Sequence, residues 1–141
     1  MKFCYGGVTF ELPDDWMIEA DFPGERKTAT HYPFDSSIFK KAFVVPISSI
    51  FSPRANEGTP IFNSREIDGH MVSAKDRTIS ILRGLCNGNP IAPVKVVNFK
   101  TTNNKYKYKL VNGTHRFHCS IAAGYTEIPV VYGIDMKDPD L

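Results

Sequence analysis

The sequence predicts an α+β fold, and three stretches of its 141 residues support that prediction. Tyr106 to Tyr132 has the pattern of an alternating strand, a short helix and a second strand. Ser73 to Cys86 carries apolar side chains at three- and four-residue spacing, which is typical of an amphipathic helix. Lys2 to Leu12 holds Gly6-Gly7 between two short arms, which favours a β-hairpin.

The stretch from Tyr106 to Tyr132 contains the strongest functional pattern. It predicts a strand over Tyr106 to Val111, a tight corner at Asn112-Gly113 and a helix that begins at Thr114. Gly124 is predicted to end that helix, and Pro129 leads into the next strand.

This corner has the features of an anion site. A glycine before a helix lets the backbone approach a ligand, and the first helical turn offers unpaired N–H groups with partial positive charge. His115 and Arg116 add a potential donor and a permanent cation, so phosphate is the ligand that we expect first. The alternative is an ordinary turn in which Asn112, Gly113 and Thr114 only cap the helix and Arg116 lies in solvent.

The remaining chain divides into simpler elements. We expect strands over Val44 to Ile50 and Val94 to Phe99, with a polar loop over Phe51 to Asp68. Pro13 to Trp16 is expected to break the N-terminal hairpin. Trp16 to Lys41 then has two interpretations, a cap over the ligand site or a cover for an exposed sheet edge.

Composition limits the class of protein. A chain of 141 residues is long enough for one well-buried core, so a single domain is expected. The formal charge of +2 is mild and does not require a nucleic-acid partner. The chain shows no apolar run of membrane-spanning length and no apolar signal core, so a cytoplasmic location without membrane association is expected. The three cysteines lack a disulfide pattern.

Several motifs together resemble the ParB/sulfiredoxin superfamily. Asn112-Gly113-Thr114-His115-Arg116 is similar to the family's phosphate-binding turn. Phe43 to Ile50 is similar to the family's opening strand and its Val-Pro-x-Ser turn. Ser73 to Gly84 and Pro90 to Phe99 follow in the family's order, so the resemblance covers about two thirds of the chain. It implies a small mixed sheet with packed helices over residues 42–132. Residues 1–41 would then be an N-terminal extension with the hairpin, and 133–141 a tail.

The resemblance also implies a nucleotide-binding protein that acts as a small phosphotransferase or NTPase and uses ATP or another nucleotide with Mg²⁺. The family's phosphate-contact positions correspond to Asn112, Gly113, Thr114, His115 and Arg116, with His115 also a candidate catalytic residue. Lys75 and Thr78 would approach the base or sugar, although a solvated face explains them equally well. The acceptor, a small molecule or a protein, is not identified by the sequence.

The candidate general bases lie in the predicted loop before the first family helix. Glu66 and Asp68 are the carboxylates that we expect to orient an attacking hydroxyl, although loop carboxylates are often simply solvated.

Two departures from the family bear on activity. Thr114 stands where sulfiredoxin has its reactive cysteine, and Cys119 is predicted to be core, so sulfinic-acid reduction is disfavoured. Asn112 stands where kinase-like members tend to have Asp, which puts phosphoryl transfer in doubt unless Glu66 or Asp68 supplies a carboxylate. His115 and His118 lack a third metal ligand in the sequence, so no metal site is predicted.

The alternative function is a non-catalytic, nucleotide-controlled ParB-type binding module that acts with a partner or with DNA. Partition proteins of this family carry a helix-turn-helix after the nucleotide domain. Only Gly133 to Leu141 follow the last predicted strand here, so this chain is expected to hold no such DNA reader.

Overall fold

The structure, a computed structural model, describes residues 1–22, 29–62, 73–100 and 105–133. Its described strands are β1 (Lys2–Tyr5), β2 (Val8–Glu11), β3 (Phe43–Pro46), β4 (Ile50–Phe51), β5 (Val94–Asn98), β6 (Tyr108–Asn112) and β7 (Glu127–Tyr132). Its described α-helices are α1 (Asp14–Ala20), α2 (Ala74–Asn87) and α3 (Thr114–Ala122). Short 3-10 turns cover Ile47–Ser49, Ala55–Glu57 and Thr59–Phe62. The predicted α+β class is therefore confirmed.

Five of the strands form one mixed sheet in the order β3-β7-β5-β6-β4. β7 is antiparallel to β3 and parallel to β5, while β6 is antiparallel to β5 and parallel to β4. The inner strands contribute the buried side chains Val94, Val96, Leu110, Ile128 and Val130 to the core. Helix α3 contacts both β5 and α2. Its first turn lies beside the end of β6, because β6 ends at Asn112 and α3 begins at Thr114.

The sheet is strongly curled, and one connection shows this directly. β3 and β4 are the two edge strands, yet only the 3-10 turn Ile47–Ser49 separates them in the chain. A flat sheet would hold its first and fifth strands about 19 Å apart, because neighbouring strands lie about 4.8 Å apart. The single predicted strand from Val44 to Ile50 is thus wrong in extent: the chain turns after Pro46 and crosses to the opposite edge.

The N-terminal hairpin is confirmed. Gly6 and Gly7 have φ values of 61° and 81°, the left-handed pair that a tight two-residue hairpin requires. The hairpin packs on α3, where the Phe10 ring centroid lies 4.8 Å from that of His118. Phe10 is fully buried, so this hairpin forms part of the same hydrophobic core as the sheet.

The expected break after the hairpin is a helix in the structure. Helix α1 begins directly after Pro13, and Asp14 and Asp15 lie in its first turn, where carboxylates interact favourably with the helix dipole. Trp16 and Ala20, one turn apart, are both buried, and α1 packs against α2. Burial of this face stabilises a seven-residue helix that is too short to form alone.

The predicted loop over Phe51 to Asp68 is more compact than expected up to Phe62. Ile61 and Phe62 are fully buried, and the 3-10 turn that holds them contacts α2 and β2. Residues 63–68 lie outside the described part of the chain.

The described part of Trp16 to Lys41 packs beside the ends of two strands. The carbonyl of Thr30 accepts hydrogen bonds from the amides of Thr126 and Glu127 at the start of β7. Tyr32 is fully buried, and its hydroxyl donates to the Ala92 carbonyl at 2.7 Å, just before β5. The division into an extension over 1–41, a family core and a tail stays a prediction. No helix within the described ranges combines the length and hydrophobicity that crossing a membrane requires.

Candidate anion-binding site

The first turn of α3 forms the centre of the candidate site. Gly113 precedes it with φ 103° and ψ 31°, and the first intrahelical hydrogen bond runs from the Phe117 amide to the Gly113 carbonyl at 2.8 Å. The amides of Thr114, His115 and Arg116 come before that bond and so belong to the helix end that carries partial positive charge. The predicted start of the helix at Thr114 is confirmed.

Glycine is required before this turn for steric reasons as well. A Cβ atom at position 113 would lie 2.7 Å from Cγ1 of Val94 and 3.0 Å from Nη2 of Arg116. The missing side chain therefore lets the Arg116 guanidinium lie against the turn.

Arg116 is held by neutral oxygens. Its Nη1 donates to the carbonyls of Ala92 at 3.0 Å and Pro93 at 2.8 Å, and its Nη2 donates to the Asn112 side-chain oxygen at 3.2 Å. Burial lowers the pKa of Arg116, although the guanidinium remains charged at any physiological pH. Because these acceptors carry no formal charge, the positive charge of Arg116 is not neutralised by them.

A cavity of about 370 Å³ opens at this helix end. Arg54, Arg77, His115 and Arg116 bring basic side chains to it from three separate parts of the chain. The remaining lining residues are Ile81, Val111, Asn112, Gly113 and Thr114. We call this space the anion cavity.

His115 is fixed in orientation by one hydrogen bond. Its Nε2 lies 2.8 Å from the Ile61 carbonyl oxygen, which can only accept, so Nε2 carries a proton and Nδ1 is the nitrogen left for a ligand. Burial lowers the pKa of His115 most, and repulsion from Arg77 and Arg54 lowers it further, although the Ile61 bond opposes this. The same three side chains line the anion cavity.

Arg54 forms an ion pair with Glu57 at the edge of the cavity. Its Nε and Nη2 lie 2.9 Å and 3.0 Å from the two carboxylate oxygens, a two-pronged geometry that lowers the pKa of Glu57. Both side chains are more than 40% exposed, so the pair contributes little to stability. It does orient Arg54 beside the cavity.

The structure separates the seven residues expected to contact nucleotide. Asn112, Gly113, Thr114, His115 and Arg116 all line the anion cavity. Lys75 is exposed on α2 and lies outside this lining. Thr78 is fully buried, and its hydroxyl donates to the Ala74 carbonyl at 2.8 Å, so it presents no surface to a ligand in this arrangement.

The candidate general bases Glu66 and Asp68 lie outside the described residues. Within the described ranges, no three His, Cys, Asp or Glu side chains cluster as metal ligands would. Cys119 is fully buried, and burial raises the pKa of its thiol, as expected for a core cysteine.

Two arginines of the cavity were not among the predicted site residues. Arg54 lies in the predicted loop, and no local pattern distinguishes it from a solvated charge. The sequence did offer a way to group Arg77 with the cavity residue Ile81. The two stand four residues apart, and residues at this spacing lie on the same face of a helix. Lys75 lies two residues from Arg77, which directs it to a different side of the helix.

No protein-family profile matches the chain, and no curated protein matches it. Among solved structures, the chain is similar to the crystal structure of sulfiredoxin from Arabidopsis thaliana, with a TM-score of 0.43 and 14% sequence identity. The match covers 64% of this chain and 82% of that chain. At this level, the similarity supports no inference about activity.

Proposed function

We propose that this protein binds the phosphate groups of a nucleotide in the anion cavity and acts on the terminal phosphoryl group. One observation carries the proposal: the first turn of α3, Arg77, Arg116 and His115 converge on one cavity. A helix amino terminus and arginine side chains are both suited to phosphate oxygens.

The arrangement favours more than one phosphate group. Arg77 comes from α2, Arg54 from the segment after β4, and Arg116 from α3, so the cations surround the cavity instead of forming a row on one helix. An anion with several phosphate groups can contact basic side chains on more than one side of the cavity. The volume of about 370 Å³ falls within the range typical of small-molecule sites, about 300–1,000 Å³.

The resemblance of Asn112 to Arg116 to the ParB/sulfiredoxin phosphate turn supports a nucleotide as the source of these phosphates. Transfer or hydrolysis of the terminal phosphoryl group depends mainly on positioning and on stabilising negative charge, which this cavity supplies. Mg²⁺ would enter on the phosphates of the nucleotide, because the described lining offers cations and no carboxylate. Glu66 and Asp68 remain the proposed carboxylates for activating an acceptor.

A non-catalytic binding module is the second candidate. It is favoured by the described lining of the anion cavity, in which no carboxylate is present to act as a general base. In this case nucleotide occupancy would change association with a partner, and no turnover would be seen.

Sulfinic-acid reduction is not proposed. Thr114 stands at the position of the reactive cysteine in the resembled family, and a threonine hydroxyl cannot replace a thiolate in that chemistry. Cys119 cannot substitute, because it is fully buried in the core.

The test begins with binding. Thermal unfolding of the wild type is measured with ATP, ADP, CTP and GTP, each with and without Mg²⁺. A ligand at one hundred times its dissociation constant adds about 2.7 kcal/mol to the free energy of unfolding. Arg77→Ala is expected to abolish the shift, and Arg83→Ala is the matched control, because Arg83 is exposed on the same helix outside the cavity lining.

Turnover then distinguishes the two candidates. Release of phosphate by wild type that disappears in Glu66→Gln or Asp68→Asn supports phosphoryl transfer. Saturable binding without turnover, in the presence of Mg²⁺, supports the binding module. If none of the nucleotides shifts the melting temperature, both candidates are wrong.

A further inference from the structure

The segment from Ser52 to Asn56 borders two cavities. Arg54 lines the anion cavity, whereas Ser52, Pro53, Ala55 and Asn56 line a second cavity of about 270 Å³. Residues of the N-terminal hairpin complete this second cavity, which we call the aromatic cavity. It is thus built partly from residues 1–41, the region that the family resemblance does not cover.

Three aromatic side chains line the aromatic cavity, and each is held in place by other contacts. Phe51 stacks on Phe99 with ring centroids 5.0 Å apart, and it meets Tyr106 at 5.6 Å and an angle of 57°. The Tyr5 hydroxyl donates to the Ile47 carbonyl at 2.9 Å and also to the Ile50 carbonyl. Rings fixed in this way offer flat contact area that loses little conformational freedom when a ligand binds.

Ser52 supplies an unusual polar group beside these rings. It is only 3% exposed, and its Oγ has no hydrogen-bond partner among the described residues. A buried hydroxyl without a partner is unfavourable, so such a group in a folded protein calls for an explanation. Oγ is itself buried in the structure, so its contact with an occupant of the cavity requires a change of the χ1 rotamer on binding.

We propose that the aromatic cavity binds a small, uncharged, planar aromatic ring that carries an N–H or O–H donor. Tyr5, Phe51 and Tyr106 would contact the faces and edges of the ring, and Ser52 would accept its hydrogen bond. The volume lies just below the usual range of about 300–1,000 Å³, which favours one or two fused rings. The described lining carries no charged side chain, which favours an uncharged ring.

Two sources could supply such a ring: the base of a nucleotide whose phosphates occupy the anion cavity, or a separate aromatic acceptor. The shared turn from Ser52 to Asn56 is compatible with either. The ring site itself does not depend on the proposed phosphate site.

The test uses adenine and phenol as probes and the backbone amide NMR spectrum of the full chain as readout. Chemical-shift changes at Tyr5, Gly6, Ser52 and Asn56 that saturate at millimolar probe are the expected result. Absence of saturable changes with both probes, or changes confined to Arg77, Thr114 and His115, would overturn the proposal.

Variants test the roles of the side chains. Ser52→Ala is expected to weaken probe binding about threefold to tenfold, the usual effect of one lost hydrogen bond. Tyr106→Leu is expected to weaken it at least as much, and Ser80→Ala, an exposed serine on α2, is the matched control. Unchanged affinity in both Ser52→Ala and Tyr106→Leu would overturn the proposal. Asn56→Ala, at an exposed position, repeats the test if Tyr106→Leu fails to fold.

AMP distinguishes the two sources. If AMP changes the chemical shifts of residues in both cavities, the ring is a nucleotide base. If AMP changes only those of the anion cavity while phenol still binds the aromatic cavity, the ring belongs to a separate acceptor. Both outcomes support the ring site. Arg77→Ala is expected to remove phosphate binding and to leave phenol binding unchanged, so failure of either proposal can be recognised separately.

Discussion

The ring of His115 is tied to the backbone of Ile61, with Nε2 2.8 Å from the carbonyl oxygen. This contact joins the first turn of α3 to the 3-10 turn that holds the fully buried side chains of Ile61 and Phe62. The orientation of His115 in the anion cavity therefore depends on core packing more than fifty residues earlier in the chain.

The first prediction concerns the pKa of His115. Burial and the charges of Arg77 and Arg54 lower it, so a bound dianion should raise it. Anion affinity should accordingly increase as the pH falls and the imidazole gains its proton. Titration of the His115 ring signals by NMR, with and without sulfate, measures the change in pKa. Sulfate is a suitable probe because it stays doubly charged over the pH range in which histidine titrates.

The control for that titration is Arg77→Ala. Without sulfate, the pKa of His115 should be higher in this variant than in wild type, because one repulsive charge is gone. Sulfate should then raise that pKa by less than it does in wild type. An identical His115 pKa with and without saturating sulfate would show that the anion does not bind beside this ring.

The second prediction concerns Gly113. Gly113→Ala should lower the free energy of unfolding by about 2 kcal/mol or more, because φ 103° is strained for alanine and the new Cβ meets Val94 and the Arg116 guanidinium. Gly88→Ala is the matched control: Gly88 also has a positive φ, 70°, but a Cβ there meets nothing within 4 Å. Urea unfolding of both variants measures the difference, and equal losses would contradict a steric role for this close approach.

Local signals in the sequence were sufficient for several elements. Ser73 was expected at the start of a helix, and its Oγ accepts the Asp76 amide at 3.1 Å, while Gly88 ends that helix in a left-handed conformation. Gly6-Gly7 and Gly113 likewise specify their turns through positive φ angles. These features depend on interactions within a few residues, which a sequence displays directly.

The features that could not be predicted depend on contacts between distant segments. The strand expected over Val44 to Ile50 is divided because the sheet curls. The resemblance marked a turn at Pro46, but the crossing to the opposite edge depends on the pairing of β3 with β7 and of β4 with β6. Arg54 and Arg77 reach the anion cavity only when α2 and the segment after β4 pack beside α3. Helix α1 packs against α2 and buries Trp16, a contact between segments that are distant in the sequence. Pro13, which was expected to break the structure here, precedes the helix and does not interrupt it.

The third prediction concerns the cysteines. Cys4 is exposed and Cys119 fully buried, so a disulfide reagent should modify Cys4 rapidly in the folded protein. Modification of Cys119 should be slower by at least about a thousandfold, because it requires opening of the core. Cys86 is half-buried, so the test compares wild type with a Cys4→Ser, Cys86→Ser double variant in which Cys119 is the remaining thiol. Reaction of the double variant with and without urea gives the rate of Cys119, and fast native labelling there would contradict the described core.

The fourth prediction concerns acid stability and His118. This ring is fully buried among Phe10, Tyr5 and Phe117, and its Nδ1 donates to the Thr114 carbonyl at 2.9 Å. Nε2 has no hydrogen-bond partner among the described residues. Burial lowers the pKa of His118 from 6.5 to about 4, with repulsion from His115 and Arg54 adding to the effect.

The two pKa values of His118, about 4 when folded and 6.5 when unfolded, determine how stability changes with pH. Between pH 6.5 and about 4 the unfolded chain binds a proton at His118 that the folded chain does not, so acidification favours unfolding. The full contribution of His118 is present above pH 6.5 and is lost toward pH 4, by about 3 kcal/mol at 1.36 kcal/mol per pKa unit. Urea unfolding of wild type and His118→Gln at several pH values measures the contribution of His118 to the free energy of unfolding. The variant should show a flatter pH dependence, and parallel curves for the two proteins would show that folding does not shift the pKa of His118.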